Sequence, residues 1–92
     1  MKYAIHKYLL LPHSGVYEVE IPTNSTFLSV QQQFNKIALW FRVGIPIVDI
    51  KKVKFHVFLT GQDIMSPVYM FPFLGTVQFD SGDFVLHVFQ EN

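Results

Sequence analysis

Two histidines are the side chains best suited to chemistry in this sequence, because each lies alone within an apolar run. His56 occurs in the stretch VKFHVFL and His87 in the stretch DFVLHVF. A functional interpretation makes them two metal ligands or a general base. The structural interpretation makes each ring a donor to a backbone carbonyl within a sheet.

A metal site at these histidines would need three or four converging ligands, as zinc does. The other possible ligands are His6, His13, Asp63, Asp80 and Asp83. Their spacing matches no ligand pattern, and there is no cysteine. We therefore expect packing roles for both histidines, with no metal and no cofactor.

The carboxylates and hydroxyls form no catalytic pattern either. Asp80 and Asp83 flank a turn, where aspartate caps backbone amides and tolerates turn geometry. Paired carboxylates of the glycosidase kind need a cleft between them, which a hairpin tip does not supply. Neither Gly-x-Ser-x-Gly nor a glycine-rich phosphate loop occurs. The sequence thus predicts a protein that is not an enzyme.

One polar loop is a candidate binding site. It consists of Thr60, Gly61, Gln62 and Asp63. Gly61 would let the backbone approach a ligand closely, and the loop leaves the end of a strand, where binding loops often occur. An ordinary turn explains the same residues, so both interpretations stay open.

Three further side chains are binding candidates outside this loop. Lys52 and Lys54 belong to the cluster Lys51-Lys52-Val53-Lys54, whose alternation with apolar residues indicates a solvated strand face. That cluster could instead bind a phosphate or an acidic partner. Trp40, in the stretch ALWFRV, is predicted on a half-exposed sheet face, as a stacking platform, an interface anchor or a core residue.

The composition indicates one apolar domain, and the absence of cysteine fits a reducing compartment. The 92 residues suffice for a single core, half of them are hydrophobic, and the formal net charge is zero. Nucleic-acid-binding proteins normally carry a basic stripe, so the charge balance predicts no nucleic-acid partner. No run of about 18 apolar residues indicates a membrane helix, and no signal-peptide core is present. We expect a soluble intracellular protein without a membrane partner.

The hydrophobic pattern has a period of two residues, which is typical of β-strands. In GVYEVEIP, Glu18 and Glu20 share one face and the apolar residues alternate with them. FLSVQQQFNKIALWFRVG indicates a hairpin that turns near Asn35, and a second hairpin is predicted around residues 80–83. About seven short strands predict an all-β antiparallel sandwich or barrel, a single domain over residues 1–92.

Four stretches of the chain, taken in order, carry a family resemblance. They are IHKYLL (residues 5–10), IPTNSTFLSVQQQFNKIALWFRV (21–43), FHVFLTGQDI (55–64) and FLGTVQFDSGDFVLHVFQ (73–90). Their shared features are Lys-Tyr, Leu-Ser-Val-Gln, Leu-Trp, Thr-Gly, Gly-Thr-x-Gln and a closing His-Val-Phe. This pattern resembles a family of small β domains of uncharacterised function, found mostly in bacteriophage genomes. The connection GIPIVDIKKVK departs from it, because it is neither acidic nor rich in proline.

The resemblance implies a phage origin and a small β fold, and it attaches no activity. Together with the apolar excess, it leads to the hypothesis of a phage accessory protein that binds and modulates a host protein in the cytoplasm of the infected bacterium. A component of a host defence system is one candidate partner. Two alternatives stay open: an oligomer that holds a small ligand such as a nucleotide signal, and a minor structural component of the virion.

Self-association is the last expectation. The charged fraction is low for so small a domain, and the closing strand DFVLHVFQ carries little protection if it forms a sheet edge. A symmetric dimer would cover both features with one patch.

Overall fold

Seven β-strands make up most of the chain in a computed structural model, which describes residues 1–91. They are β1 (Lys2–Leu10), β2 (Gly15–Pro22), β3 (Ser25–Gln33), β4 (Lys36–Ile45), β5 (Ile50–Leu59), β6 (Phe73–Phe79) and β7 (Phe84–Glu91). One 3₁₀ turn, Val68–Met70, is the helical segment of the described residues, and Asp80–Gly82 form a tight turn in which all three residues have positive φ. The all-β fold predicted from the period of two is confirmed.

The strands form two antiparallel sheets that pack face to face as a sandwich. The three-stranded sheet has the order β1-β4-β3, and the four-stranded sheet has the order β2-β5-β7-β6. Both predicted hairpins are present, as β3–β4 and β6–β7. In contrast, β1 and β2 follow each other in the chain and lie in different sheets. Over residues 1–91 the two sheets do not close into a barrel.

The core between the sheets is built from the alternate side chains that each strand turns inward. Phe41 of β4 is fully buried, and its ring packs edge-to-face against Tyr8 at 5.8 Å and Phe27 at 5.6 Å between centroids. It also packs against Phe55 of the four-stranded sheet at 6.3 Å. Such pairs contribute about 0.5–1.5 kcal/mol each beyond the area they bury, so this cluster fastens one sheet to the other.

Turn chemistry places the hairpins where the sequence predicts them. Phe34 and Asn35 have φ values of 54° and 58°, as the two central residues of a tight β-hairpin turn require. At the second hairpin, Asp80, Ser81 and Gly82 all have positive φ. Asparagine, aspartate and glycine adopt this conformation at low cost, so these short sequences determine where the chain reverses.

The edges of the sandwich differ from the sequence-based expectation. β7 lies between β5 and β6, so the prediction that the closing strand is a free edge is wrong. Its backbone groups are paired on both sides, because β5 returns to it from a distant part of the chain. The edge strands β3 and β6 pack against each other. They approach closely at Gly75, because a Cβ atom added to this glycine would lie 2.6 Å from Cγ1 of Val30.

The connection between β5 and β6 is mostly irregular. Its one helical turn is Val68–Met70. Phe71 and Pro72 lead the chain back to the sheet, where the Pro72 carbonyl accepts a bond from the Gln90 amide at 2.9 Å. Residues 1–91 contain no helix that is long and apolar enough to span a membrane.

Candidate functional site

The two histidines singled out by the sequence lie on the outer face of the four-stranded sheet. They occupy neighbouring strands, with His56 opposite Phe89 and His87 opposite Phe58 in the β5–β7 register. His56 and His87 are therefore diagonal neighbours, a relation that places side chains within reach of each other. Phe58 and Phe89 are the other pair of diagonal neighbours, with 5.9 Å between their ring centroids.

His87 has a hydroxyl at each ring nitrogen. The Thr60 hydroxyl lies 2.7 Å from Nε2, and the Thr76 hydroxyl lies 2.9 Å from Nδ1. The expected bond to a backbone carbonyl is wrong, because the strand neighbours already use the carbonyls in the sheet and the ring meets side chains instead. His87 shares the outer face of β7 with Val85 and Phe89, since Leu86 and Val88 are the buried side chains of that strand.

His56 also bonds to a side chain rather than to the backbone. Its Nε2 lies 2.8 Å from Oε1 of Glu91, and its side chain is only 12% exposed. The Phe71 ring packs on it at 5.5 Å between centroids. The expected backbone partner is again wrong, because the end of β7 brings a carboxylate next to β5.

This constellation is better suited to structure than to catalysis. A hydroxyl bonded to a histidine is the pairing that an activated nucleophile requires. At Nδ1, however, His87 meets a second neutral hydroxyl, where catalytic triads place a carboxylate that stabilises the imidazolium. Within residues 1–91, no three of the His, Asp and Glu side chains come together as metal ligands.

The loop from Thr60 to Asp63 forms a closed turn. Gly61 has a φ of 87°, and the Gln62 amide donates to the Leu59 carbonyl at 3.1 Å. The Gln62 side chain accepts a second bond from the Leu59 amide at 3.0 Å. Gly61 and Gln62 thus stabilise the turn itself. Thr60 is the loop residue whose side chain contacts the sheet, at His87.

A shallow groove lies beside this turn, between it and the tip of the last hairpin. Its lining comprises Leu59, Thr60, Gly82, Asp83, Phe84 and Val85. The volume is about 390 Å³. Asp80 and Asp83 belong to the hairpin turn itself, since the Asp83 amide donates to the Asp80 carbonyl at 3.1 Å.

The lysine cluster and Trp40 lie away from that groove. Lys52 and Lys54 are exposed near the start of β5, whereas Thr60 follows its end. Lys52 pairs with Glu18 of β2 at 3.8 Å. Trp40 belongs to the other sheet altogether. Within one copy of the chain, the predicted binding residues therefore occupy three separate places.

Trp40 marks a surface that sequence reasoning missed, the outer face of the three-stranded sheet, which we call the basic face. It is formed by Tyr3, Ile5, Lys7 and Leu9 of β1 together with Lys36, Trp40 and Arg42 of β4. Alternation along β1 and β4 places these side chains on one side, opposite the core residues. A signal existed in the stretch KYAIHKYLL, whose odd-numbered positions include three large apolar side chains.

Cations cover the aromatic rings of the basic face. The Lys7 ammonium lies 5.5 Å from the centre of the Trp40 ring and 5.1 Å from that of Phe34. The Arg42 guanidinium lies 5.1 Å from the centre of the Tyr3 ring. Lys7 also donates to Oε1 of Gln33, so its ammonium is fixed by partners beyond its own strand.

The same face exposes large aliphatic side chains. Tyr3 is 54% exposed, Ile5 64% and Leu9 40%. Leu28, in the bulge of β3, is exposed as well. Contiguous exposed apolar surface of this kind marks interaction sites in proteins that otherwise cover such groups.

The charges are segregated between this sheet and the remainder of the chain. β1, β3 and β4 carry four basic side chains, Lys2, Lys7, Lys36 and Arg42, and no aspartate or glutamate. The other residues carry three lysines and all seven carboxylates. The net charge of zero therefore conceals a basic sheet and an acidic remainder.

Comparison with known proteins gives a family and no activity. The family described as "Domain of unknown function (DUF7352)" matches residues 1–92. No curated protein and no solved structure matches this chain. The match covers the whole sequence, basic face and histidine constellation included. The chain therefore belongs to the DUF7352 family, which is uncharacterised.

Proposed function

We propose that the protein is a non-enzymatic binding protein whose basic face contacts a protein partner. In its specific form, it is a phage accessory protein that binds and modulates a bacterial host protein in the cytoplasm of the infected cell. The phage setting rests on the resemblance of the four stretches described above. The binding role rests on one observation, the cations held over the half-buried Trp40 ring and the exposed Tyr3 ring among exposed aliphatic side chains.

The residue types of the basic face support this role. Tryptophan, tyrosine and arginine are the side chains that contribute most binding energy at protein interfaces, and Trp40, Tyr3 and Arg42 lie together here. Ordering a long side chain on binding costs about 0.5–1.5 kcal/mol. Lys7 is already fixed by Gln33 and two rings, so less of that cost remains.

The alternative of a small-ligand site has weaker support within one copy. The loop glycine and glutamine close a turn, Lys52 pairs with Glu18, and Trp40 lies on the opposite sheet. A nucleotide would need these groups around one cavity, which only a second copy of the chain could arrange. The protein-binding function needs no such assembly.

The test is affinity capture from a bacterial lysate with two matched baits. One bait carries Lys7→Gln and Arg42→Gln on the basic face; the other carries Lys52→Gln and Lys54→Gln on the opposite sheet. Both lose two positive charges, so a nonspecific charge effect would weaken both equally. We expect a protein retained by the wild type and by the second bait to be lost from the first. Equal retention by both baits, or no protein retained by the wild type, would contradict the proposal.

A further inference from the structure

β1 is a continuous, straight edge strand beside the basic face. Its register with β4 runs from Lys2 to Leu10 without a shift, over nine residues. Among residues 1–91, β4 is its only hydrogen-bonded neighbour. Natural sheets usually shorten, bulge or cover such an edge, or place charges on it. Of these forms of protection, the β1 edge has only charge, which Lys2 and Lys7 supply.

The other sheet edges are less open to a new strand. β3 contains a bulge between Phe27 and Ser29, and it packs against β6. β2 carries two like charges side by side on its exposed face, Glu18 and Glu20, whereas the outer face of β1 carries only Lys7. Addition of a strand from another protein is a common mode of recognition, in which main-chain bonds give affinity and side chains give specificity. β1 is the edge best suited to it.

Charge determines what kind of strand fits there. The sheet has four basic side chains and no carboxylate, so an added strand with acidic side chains gains attraction across the pair. A second copy would place two such sheets side by side, with Lys7 of each near the junction. Like charges across paired strands are destabilising, so the second copy is disfavoured at this edge.

Nucleic acid fits the basic face less well than an acidic protein segment does. Bases bind sheet surfaces by stacking on free aromatic rings, but Lys7 and Arg42 already cover Trp40 and Tyr3. A base would have to displace those cations from the rings. The exposed aliphatic side chains of Ile5 and Leu9 offer no stacking surface for a base.

We infer that the free edge of β1 accepts an extended protein segment in which carboxylates alternate with apolar side chains. The carboxylates lie on the outer side, next to Lys7. The apolar side chains lie on the inner side, next to Ala4, His6 and Tyr8 at the rim of the core, where all three are half-buried. This inference rests on the proposed function, since it specifies the chemistry and the backbone geometry of the segment bound there.

The test uses a synthetic peptide of alternating glutamate and valine as the probe. Binding is followed by the single Trp40 indole resonance and by hydrogen exchange of the β1 amides. Three comparisons accompany it: the same peptide N-methylated at alternate residues, a lysine–valine peptide, and an oligothymidylate. N-methylation removes main-chain donors and keeps the side chains, so it separates strand addition from contact with the face alone.

We expect the acidic peptide to shift the indole resonance and to protect alternate β1 amides. Affinity should fall about tenfold or more on N-methylation, and by a similar factor in the Lys7→Gln, Arg42→Gln protein. The lysine–valine peptide should not bind. Absence of binding by the acidic peptide would overturn the inference. Stronger protection by the oligothymidylate, or β1 protection that rises with protein concentration alone, would overturn it in favour of nucleic acid or a second copy.

The outcomes also distinguish this inference from the proposed function. Peptide binding that depends on Lys7 and Arg42 but not on the peptide amides would overturn strand addition and leave the basic face as the binding surface. Peptide binding that depends neither on Lys7 and Arg42 nor on the peptide amides would contradict both the strand addition and the proposed function. The lysate capture tests the proposed function independently of any peptide.

Discussion

The Thr60 hydroxyl lies 2.7 Å from Nε2 of His87, although 27 residues separate them in the chain. Through its other nitrogen, the same ring reaches Thr76 at 2.9 Å. One imidazole thus connects the turn after β5 with β7 and β6. This bridge gives the histidine of an otherwise apolar strand a structural role.

Thr76→Val should lower the free energy of unfolding by about 1 kcal/mol, because one ring nitrogen loses its partner. Thr60→Val should have a similar effect, because both hydroxyls are exposed and each contacts one ring nitrogen. Urea denaturation measures both. Thr26→Val, at an exposed β3 position, is the matched control and should stay within about 0.5 kcal/mol of the wild type. If all three variants unfold at the same urea concentration, the bridge contributes nothing.

Gly75→Ala should destabilise the sandwich by about 2–4 kcal/mol, through backbone strain and overpacking together. Its φ is 153°, and the added Cβ would lie 2.6 Å from Cγ1 of Val30. Gly15→Ala is the control, because φ is 147° there and nothing lies within 4 Å of the added Cβ. The difference between the two free energies of unfolding isolates the contact between β3 and β6.

Shortening Val30 tests the same contact, because it makes room for the methyl group that Gly75→Ala adds. Val30→Ala should recover part of the loss in the Gly75→Ala protein, so that the two changes together cost less than their separate effects add up to. Strict additivity in thermal and urea unfolding would show that Val30 is not the obstacle.

Stability should fall in alkaline solution because of Tyr8. Burial raises the pKa of the Tyr8 phenol above its ordinary value, so the folded chain retains this proton better than the unfolded chain does. The resulting stabilisation is complete below the unfolded pKa near 10 and is lost as the pH rises through the folded value. Tyr8→Phe should make the fall of the urea midpoint shallower between about pH 9 and about pH 11. Burial also raises the pKa of the Tyr17 phenol, so the Tyr8→Phe, Tyr17→Phe protein should show the smallest fall. A fall just as steep in Tyr8→Phe as in the wild type would refute this cause.

We still expect a symmetric dimer, at a different surface from the one the sequence indicated. The segment around the 3₁₀ turn exposes Met65, Tyr69, Met70 and Phe73, with Met70 73% exposed. Light scattering should give twice 10.7 kDa for the wild type, and Met70→Asp should release monomers while Val48→Asp does not. A wild-type mass near 10.7 kDa would contradict the prediction.

Local patterns in the sequence predicted the strands and turns correctly. Glu18 and Glu20 are exposed and Ile21, near the end of β2, is buried, as alternation requires. Asn35 adopts the left-handed conformation expected of it. These outcomes depend on a residue and its nearest neighbours along the chain, so a single sequence contains enough information for them.

The candidate site was predicted only in part, because its members come from distant segments. The outward direction of His87 followed from the period of two, whereas its partners Thr60 and Thr76 depend on which strands flank β7. Trp40 was singled out by its type. The cations beside it could not be assigned, since Lys7 reaches its ring from another strand.

The sequence by itself determined that this protein is an all-β domain, which side chains each strand turns inward, and where the two hairpins reverse. Only the tertiary structure decided the strand order, with β7 inside its sheet and β1 at an open edge. It alone also separated four basic side chains from seven carboxylates in a chain of zero net charge. The physical reason is that alternation is fixed by neighbouring residues, whereas pairing between strands is chosen by the burial of the whole core.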